Sequence, residues 1–292
     1  MYEGVKVNPV QYRQIPSRKH KKKRRYRLKI FFFLVITLVA CIKFWSMLSL
    51  NLDGIASLGT GTGELSSDSD AKKENTSELA KTLSGSKYPE SLIELLEKNP
   101  ETKQFVLDYP EKKDIYGKID VSGEITKGEI PYFMQWDERW GYRKYGNNFM
   151  AVNGCGPTCL SMVRCGLSGD KKWNPYKVAK MSEEEGYYVN GEGTSWTLMS
   201  SGAERIGLTV HQVTFSKEGI QDALEEGHPV ICVVGPGDFT TTGHYLVLIG
   251  IDDNGEVKIK DPNRRKNTEK TWPIETLMSQ IRNLWAYSYE PW

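Results

Sequence analysis

The feature that most constrains how this chain can fold is an apolar stretch near its start, residues 30–50, IFFFLVITLVACIKFWSMLSL. As a helix rising about 1.5 Å per residue it would extend roughly 31 Å, which matches the hydrocarbon core of a bilayer. Only Lys43 interrupts it, close enough to one end for its ammonium group to reach the lipid headgroups. We therefore predict one transmembrane helix over residues 30–50.

The residues before this stretch are strongly basic and predict its orientation. Residues 1–29 contain eleven lysines and arginines and one acid, Glu3. Basic flanks of membrane spans stay in the cytoplasm, so we expect a single-pass cell-membrane protein with a cytoplasmic tail over 1–29 and the rest extracellular. Beside a membrane span, the basic block does not indicate nucleic-acid binding. A cleaved secretory signal is the alternative, because the uninterrupted apolar core is only residues 30–42.

Two segments separate the predicted span from the main domain. Residues 51–86 are rich in Ser, Gly, Thr, Asp and Lys and poor in aromatics, which predicts a flexible linker. Residues 87–127 predict a helical extension, with apolar residues at helical spacing after Pro89. Helices this short are not stable alone, so we expect the extension to pack on the main domain; a removable pro-segment is the alternative.

The main domain is predicted over residues 128–292, with helices first and strands afterwards. This order favours an α+β domain with an antiparallel sheet. The predicted helices begin at Cys155 and cover 175–185 and 195–206. The predicted strands cover 208–215, 228–235, 244–252, 256–261 and 284–290.

The cysteines outside the predicted span are too sparse for a disulfide framework. Cys155 and Cys159 have three residues between them, and no second Cys or His pair lies nearby to complete a zinc site. We predict that Cys159, Cys165 and Cys232 are small buried residues. No phosphate-binding or dinucleotide motif is present, so we expect neither a metal nor a cofactor.

Cys155 differs because of its surroundings in VNGCGPTCLSM. A nucleophilic cysteine must form a thiolate, and the backbone dipoles at a helix N-terminus favour negative charge. Pro157 suits a first helical turn, and Gly166 is predicted to end the helix. This stretch alone leaves Cys155 open between a structural residue and a nucleophile.

A cysteine nucleophile needs a base, and three histidines lie outside the tail. His211 and His228 are expected to be structural or solvated, whereas His244 follows a loop and opens a strand. If a two-residue hairpin loop joins the strands 244–252 and 256–261, His244 and Asp261 lie on the same sheet face. A carboxylate there would orient the imidazole, although Asp261 also fits as the start of the turn DPN.

The motifs NGCGPTCLSMV, GHYLVLIGID and VKIKDP, in this order, resemble the papain-like cysteine peptidase superfamily, specifically the exported relatives of the bacteriocin-processing, double-glycine leader peptidases. The resemblance covers roughly residues 130–290. It implies a papain-like fold in which Cys155 is the nucleophile, His244 the general base and Asp261 the orienting residue.

The resemblance also implies an oxyanion-hole residue, Gln135 in IPYFMQWDERWG. In papain and the leader peptidases this glutamine lies about six residues before the cysteine, a position that Phe149 occupies here. The longer spacing of Gln135 is one associated with the exported relatives. The segment GEGTSWTLM resembles their substrate cleft, which implies Gly193 and Trp196 as cleft residues.

The sequence thus predicts a membrane-anchored, extracytoplasmic cysteine peptidase that hydrolyses peptide bonds of a peptide or protein substrate. Two alternatives stay open. A cell-wall amidase or transglutaminase-like acyl transferase would use the same Cys-His pair, and a surface binding module would keep the fold without turnover.

Overall fold

A computed structural model describes the backbone of residues 68–291 and the side chains of residues 76–291. These residues all belong to one compact unit, Ser66–Trp292. The basic tail (1–29) and the predicted transmembrane helix (30–50) lie outside the described residues. Within the described part of the chain, no helix has the length and apolar character needed to cross a membrane.

The centre of the fold is a six-stranded sheet in which every neighbouring pair of strands is antiparallel. Its strands, in spatial order, are β5 (Thr209–His211), β10 (Ile281–Ser288), β6 (Val230–Val234), β7 (His244–Ile251), β8 (Val257–Lys260) and β9 (Thr271–Trp272). Two further pairs of short strands are β1 (Lys144–Tyr145) with β2 (Asn148–Phe149), and β3 (Tyr188–Val189) with β4 (Gly193–Thr194). The predicted α+β class with an antiparallel sheet is confirmed.

Helices cover both faces of this sheet. The α-helices of residues 68–291 are α1 (Asp68–Leu83), α2 (Glu90–Lys98), α3 (Lys103–Leu107), α4 (Tyr109–Lys112), α5 (Met150–Asn153), α6 (Cys155–Ser168), α7 (Pro175–Glu184), α8 (Ser201–Arg205), α9 (Lys217–Glu225), α10 (Arg265–Thr268) and α11 (Ile274–Gln280). Apolar residues of α6 and α7 pack with Ile231 and Val247 on one face. Those of α9 and α11 pack with Leu246 and Leu248 on the other, because side chains alternate along each strand.

Helix α6 begins at Cys155 as predicted but ends later than Gly166. Its C-terminal cap is Gly169, whose φ of 73° is left-handed. Gly166 lies inside the helix, where a Cβ atom would come within 2.7 Å of the Glu129 carbonyl oxygen. The prediction that Gly166 ends the helix is therefore wrong, since this glycine permits close packing instead.

The single helix predicted over 195–206 is two shorter pieces. A 3₁₀ turn covers Trp196–Met199, and α8 follows at Ser201. Between them Ser200 has φ −105° and ψ −89°, outside the helical region. The break separates Trp196, which is half-exposed, from the buried Ala203 in α8.

The hairpin between β7 and β8 differs from the predicted two-residue loop. The Asp252 N–H donates to the Glu256 carbonyl at 2.8 Å, and the three residues between them include Gly255 with φ 80°. A three-residue loop, unlike a two-residue loop, would put Asp261 on the sheet face opposite His244. A bulge at Ile249 shifts the pairing by one residue and reverses this change. Val247 then pairs with Lys260, so Asp261 falls on the same face as His244, as predicted, but by two compensating irregularities.

The helical extension packs on the rest of the unit through a separate apolar cluster. Leu92 and Leu96 of α2 and Phe105 of α3 are buried with Tyr142 and Phe149. The rings of Phe105 and Tyr142 stack with centroids 4.2 Å apart, and the Tyr142 hydroxyl donates to the Phe105 carbonyl at 2.7 Å. The expectation that the extension packs on the main domain is confirmed.

The flexible linker predicted over 51–86 is wrong for its second part. Residues 68–83 form helix α1, because Ala80 and Leu83 bury their side chains in the same cluster as α2. A run of polar residues thus becomes helical where a neighbouring helix covers its few apolar positions. Residues 51–67 lie outside the described residues.

Candidate active site

Cys155 lies at the first position of α6, directly after Gly154. Its side chain is partly buried and packs against the core cluster on that face of the sheet. Cys159, one turn later, is fully buried, and burial raises the pKa of its thiol well above the ordinary value. Of these two cysteines, Cys155 is therefore the one with access to a substrate, and it lies at the N-terminus of α6.

The remaining cysteines of the described chain are buried thiols with raised pKa values. Cys165 and Cys232 are buried and free, as predicted. Burial raises the pKa of Cys165 to about 11 and that of Cys232 to about 12, so both stay protonated near neutrality.

His244 and Asp261 form a buried pair beside Cys155. The Nε2 atom of His244 lies 2.7 Å from Oδ1 of Asp261, and both side chains are shielded from solvent. The Cys155 side chain lies close enough to His244 to raise the pKa of the imidazole. Since Nε2 is committed to Asp261, Nδ1 is the ring nitrogen left for Cys155. The structure thus brings together the three residues that the motifs indicated.

The electrostatics of this pair favour an imidazolium next to a carboxylate. Burial alone lowers the pKa of His244, but the charge and hydrogen bond of Asp261, followed by those of Cys155, raise it to about 10. Burial raises the pKa of Asp261, but the charge of His244 and the hydrogen bonds that the carboxylate accepts lower it further. The pKa of Asp261 is therefore below its ordinary value. Near neutrality His244 therefore carries the positive charge that a neighbouring thiolate needs.

The Asp261 carboxylate accepts more than the bond from His244. The backbone N–H groups of Asn263 and Arg264 donate to Oδ1 at 2.8 and 3.2 Å, and the Asn267 amide donates to Oδ2 at 2.6 Å. Asp261 therefore starts the turn DPN and also contacts His244, so the turn position does not exclude the orienting role, which stays a prediction. Asn267 was not among the predicted site residues, since its only signal in the sequence is a short polar side chain six residues after Asp261.

The segment of residues 132–136 holds the backbone of this turn. Its donors are the Tyr132 hydroxyl, the Gln135 N–H and the Trp136 indole Nε1. They reach three successive carbonyl oxygens, those of residues 261, 262 and 263, at 2.9, 2.7 and 2.8 Å. Tyr132 and Trp136 were not among the predicted site residues, and nothing in their spacing identifies this role.

Gln135 lies close to the chain that leads into Cys155. Its side chain is buried, and Nε2 donates to the carbonyls of Ala151 and Val152 at 2.7 and 3.3 Å. Its Oε1 atom is buried without a hydrogen-bond partner. Phe149, at the other candidate position for an oxyanion glutamine, is buried in the cluster beneath the extension. The assignment of Gln135 to an oxyanion hole stays a prediction.

The predicted cleft segment borders the start of α6. Gly193 pairs with Val189 across the β3–β4 hairpin. The next residue, Thr194, lies against Gly156, where an added Cβ atom on Gly156 would be 2.8 Å from Thr194 Cγ2. Trp196 is 47% exposed and packs edge-on against Trp285, with ring centroids 6.3 Å apart. The segment that carries Gly193 and Trp196 therefore reaches the residue after the candidate nucleophile through Thr194, and the cleft role of Gly193 and Trp196 stays a prediction.

A separate cavity of about 290 Å³ lies at the sheet edge formed by β5. Its lining includes His211, whose ring stacks on that of His228 with centroids 4.5 Å apart. Cys155 does not contribute to it. Within residues 76–291 no group of three or more His, Cys, Asp or Glu side chains could hold a metal ion.

Comparison with known proteins points to one family. The model of the Peptidase_C39 like family matches residues 127–290. A crystal structure of a Bacillus anthracis protein described as a C39-like peptidase is similar to this chain at 18% identity, with a TM-score of 0.34. That similarity covers 56% of this chain and 97% of the other. No curated protein matches the chain.

Proposed function

Because the chain belongs to the Peptidase_C39 like family, within the papain-like cysteine peptidase superfamily, we propose that it hydrolyses peptide bonds through an acyl-enzyme on Cys155. The observation that carries the proposal is the convergence of Cys155, His244 and Asp261, with 2.7 Å between His244 Nε2 and Asp261 Oδ1. Each supplies one requirement of the reaction: a nucleophile, a proton carrier and a group that orients the carrier.

In the acylation step the Cys155 thiolate attacks the carbonyl carbon of the scissile peptide bond. The C–S bond forms as the carbonyl oxygen takes the negative charge. The C–N bond then breaks, and the His244 imidazolium gives its Nδ1 proton to the leaving amine. The products are a thioester on Cys155 and a neutral imidazole.

In the deacylation step water attacks the thioester carbon while His244 accepts a proton from that water. The C–S bond breaks, the carboxylic acid product leaves, and the thiolate–imidazolium pair is restored. Asp261 keeps Nε2 protonated throughout, so Nδ1 carries both proton transfers.

The developing oxyanion needs donors at the entrance of α6. The proposed donors are the backbone N–H of Cys155 and the side-chain amide of Gln135. The position of Gln135, against the carbonyls of Ala151 and Val152, supports this assignment because it is within one turn of the nucleophile. To act, the amide must turn one N–H away from those carbonyls.

The proposed substrate is a peptide or protein that runs past Gly193 and Trp196. The half-exposed ring of Trp196, backed by Trp285, offers an apolar wall for one substrate side chain. Glycine at position 193, with φ 88°, keeps the adjoining backbone open to an extended peptide.

The proposed setting is the outer side of a membrane, with the chain held by residues 30–50 and its N-terminus in the cytoplasm. The support is the apolar stretch and the eleven basic residues before it. An immunoblot of the membrane fraction that shows only shortened, released protein would overturn the anchor.

The proposed activity is tested by peptide-library cleavage and by labelling with a thiol-directed peptide electrophile, both with the purified full chain. Cys155→Ala is expected to abolish cleavage and labelling, whereas Cys159→Ala keeps both because that thiol is buried. Undiminished labelling of Cys155→Ala overturns the proposal. Release of cell-wall fragments without peptide cleavage would identify the amidase alternative.

A further inference from the structure

The helical extension reaches the turn that carries Asp261. Asn99, which ends α2, is 1% exposed, and its amide Nδ2 donates to the Asn263 carbonyl at 2.7 Å. The same amide lies 3.2 Å from the Asn263 side-chain oxygen. Its own Oδ1 accepts from the Glu101 N–H at 3.1 Å, so both ends of the Asn99 amide are used.

Glu101 holds the next part of the same turn. Its carboxylate accepts the backbone N–H groups of Arg265 and Lys266 at 2.8 and 3.2 Å. The Lys98 carbonyl also accepts from the Arg264 guanidinium. Three residues of the extension thus bind four successive residues, 263–266, which we call the acid turn.

The acid turn is joined to Asp261 by direct hydrogen bonds. Asn263 and Arg264 donate their N–H groups to the Oδ1 atom of Asp261 that also accepts from His244. Asn99 holds the carbonyl of Asn263, and Glu101 holds the two residues after Arg264. A shift of the acid turn therefore displaces the carboxylate that orients the imidazole.

We propose that Asn99 and Glu101 are positioning residues of the active site, and that residues 87–127 are an integral part of the working enzyme rather than a removable pro-segment. This inference rests on the proposed function, because it assigns Asp261 its orienting role. The extension acts at a distance: its residues touch the acid turn, and the acid turn fixes the carboxylate.

The packing of the extension supports the same conclusion. A removable pro-segment leaves behind a complete core, whereas loss of this extension would expose Tyr142 and Phe149, which are buried against Phe105. Phe149 lies six residues before Cys155. The extension therefore supports the approach to the nucleophile as well as the acid turn.

The test uses single substitutions in the full chain. Asn99→Asp is nearly isosteric: it keeps the acceptor for the Glu101 N–H but puts a carboxylate oxygen against the Asn263 carbonyl. Glu101→Ala removes both acceptors, and Glu101→Gln keeps one. Glu97→Gln is the matched control, since Glu97 is exposed on α2 and its substitution removes the same charge.

Two readouts separate positioning from folding. The first is peptide hydrolysis, where we expect kcat to fall on the order of tenfold to a hundredfold with KM unchanged. The second is the rate of Cys155 alkylation by iodoacetamide at about pH 6 and about pH 9, on either side of neutrality. Fragment-ion mass spectrometry assigns the label, and unlabelled Cys159, Cys165 and Cys232 report a folded core.

We expect the alkylation rate at the lower pH, relative to the higher, to fall severalfold in Asn99→Asp and Glu101→Ala. The fall is smaller in Glu101→Gln, and Glu97→Gln matches the wild type. An unchanged ratio with unlabelled buried cysteines overturns the positioning role. Because alkylation does not depend on hydrolysis, this result stands apart from failure of the peptidase proposal, which would show as absent peptide cleavage by the wild type.

Discussion

Cys155 and Asp261 both contact His244, but the chain holds them in place by different means. The position of Cys155 follows from its own neighbours, since Gly154 precedes it and α6 starts there. Asp261 instead depends on groups distant in the sequence, from Asn99 and Glu101 to residues 132–136. The position of the nucleophile is therefore determined by neighbouring residues in the sequence, whereas the position of the orienting carboxylate is determined by tertiary contacts.

The largest effect should come from changing the carboxylate itself. Asp261→Asn keeps the shape but loses the charge and turns an NH₂ group toward the donors around it. We expect kcat to fall on the order of a hundredfold to ten-thousandfold with little change in KM. Asp252→Asn is the matched control, because Asp252 caps the hairpin turn through Asn254 and Glu256. Equal activity of the two variants would remove Asp261 from the mechanism.

The pH dependence of hydrolysis should also depend on Asp261. In the proposed mechanism the imidazolium protonates the leaving amine, so hydrolysis should decline as the pH rises through the pKa of His244, about 10. The negative charge of Asp261 raises that pKa, so the decline should move to lower pH in the residual activity of Asp261→Asn. Steady-state kinetics across the alkaline range measure this shift, and Asp252→Asn should leave it in place. An unmoved alkaline limb would contradict the pairing.

A smaller effect is expected on the locally coded side. Gly156→Ala would bring a Cβ atom within 2.8 Å of Thr194 Cγ2, so the cleft segment or the start of α6 must move. We expect a loss of about 1–3 kcal/mol in the free energy of unfolding, typical of overpacking. Thermal and denaturant unfolding measure it. Adding Thr194→Ser, which removes that methyl group but keeps the hydroxyl bonded to Tyr145, should recover part of the loss. No recovery would place the strain elsewhere.

The smallest effect should follow loss of a surface ion pair on the extension. Glu94 and Lys98 are paired at 3.0 Å with both side chains more than half exposed. Glu94→Gln should change the free energy of unfolding by at most about 0.5 kcal/mol and leave hydrolysis unchanged. Denaturant titration and peptide cleavage check both values. A large loss of activity would show that overall charge on the extension matters, which would weaken the specific role of Glu101.

The locally coded parts of the molecule were predictable from sequence. Pro157 and the apolar residues after it predicted α6, and alternation predicted the strands that carry His244 and lead to Asp261. The C-terminal end of α6 was missed because Gly166 and Gly169 are equivalent in a local pattern. They differ in the folded chain, where Gly166 packs against Glu129 and Gly169 has a left-handed φ of 73°.

The long-range parts could not be predicted. The bulge at Ile249 and the three-residue loop compensate each other, and neither has a local signature strong enough to be seen alone. The bond between Asn99 and Asn263 joins residues 164 positions apart. Such pairs depend on how α2 packs, which the pattern of a short helix does not specify.

The commitment of His244 Nε2 to Asp261 has a consequence for the direction of the substrate. A flip of the imidazole ring would break this bond, so in the proposed mechanism protons pass only through Nδ1. The leaving amine must therefore lie on the Nδ1 side and the acyl portion on the other side of the Cys155 sulfur. Under the proposed mechanism the N-to-C polarity of a cleavable peptide is therefore fixed by the site, and a peptide in the reverse direction would not be cut.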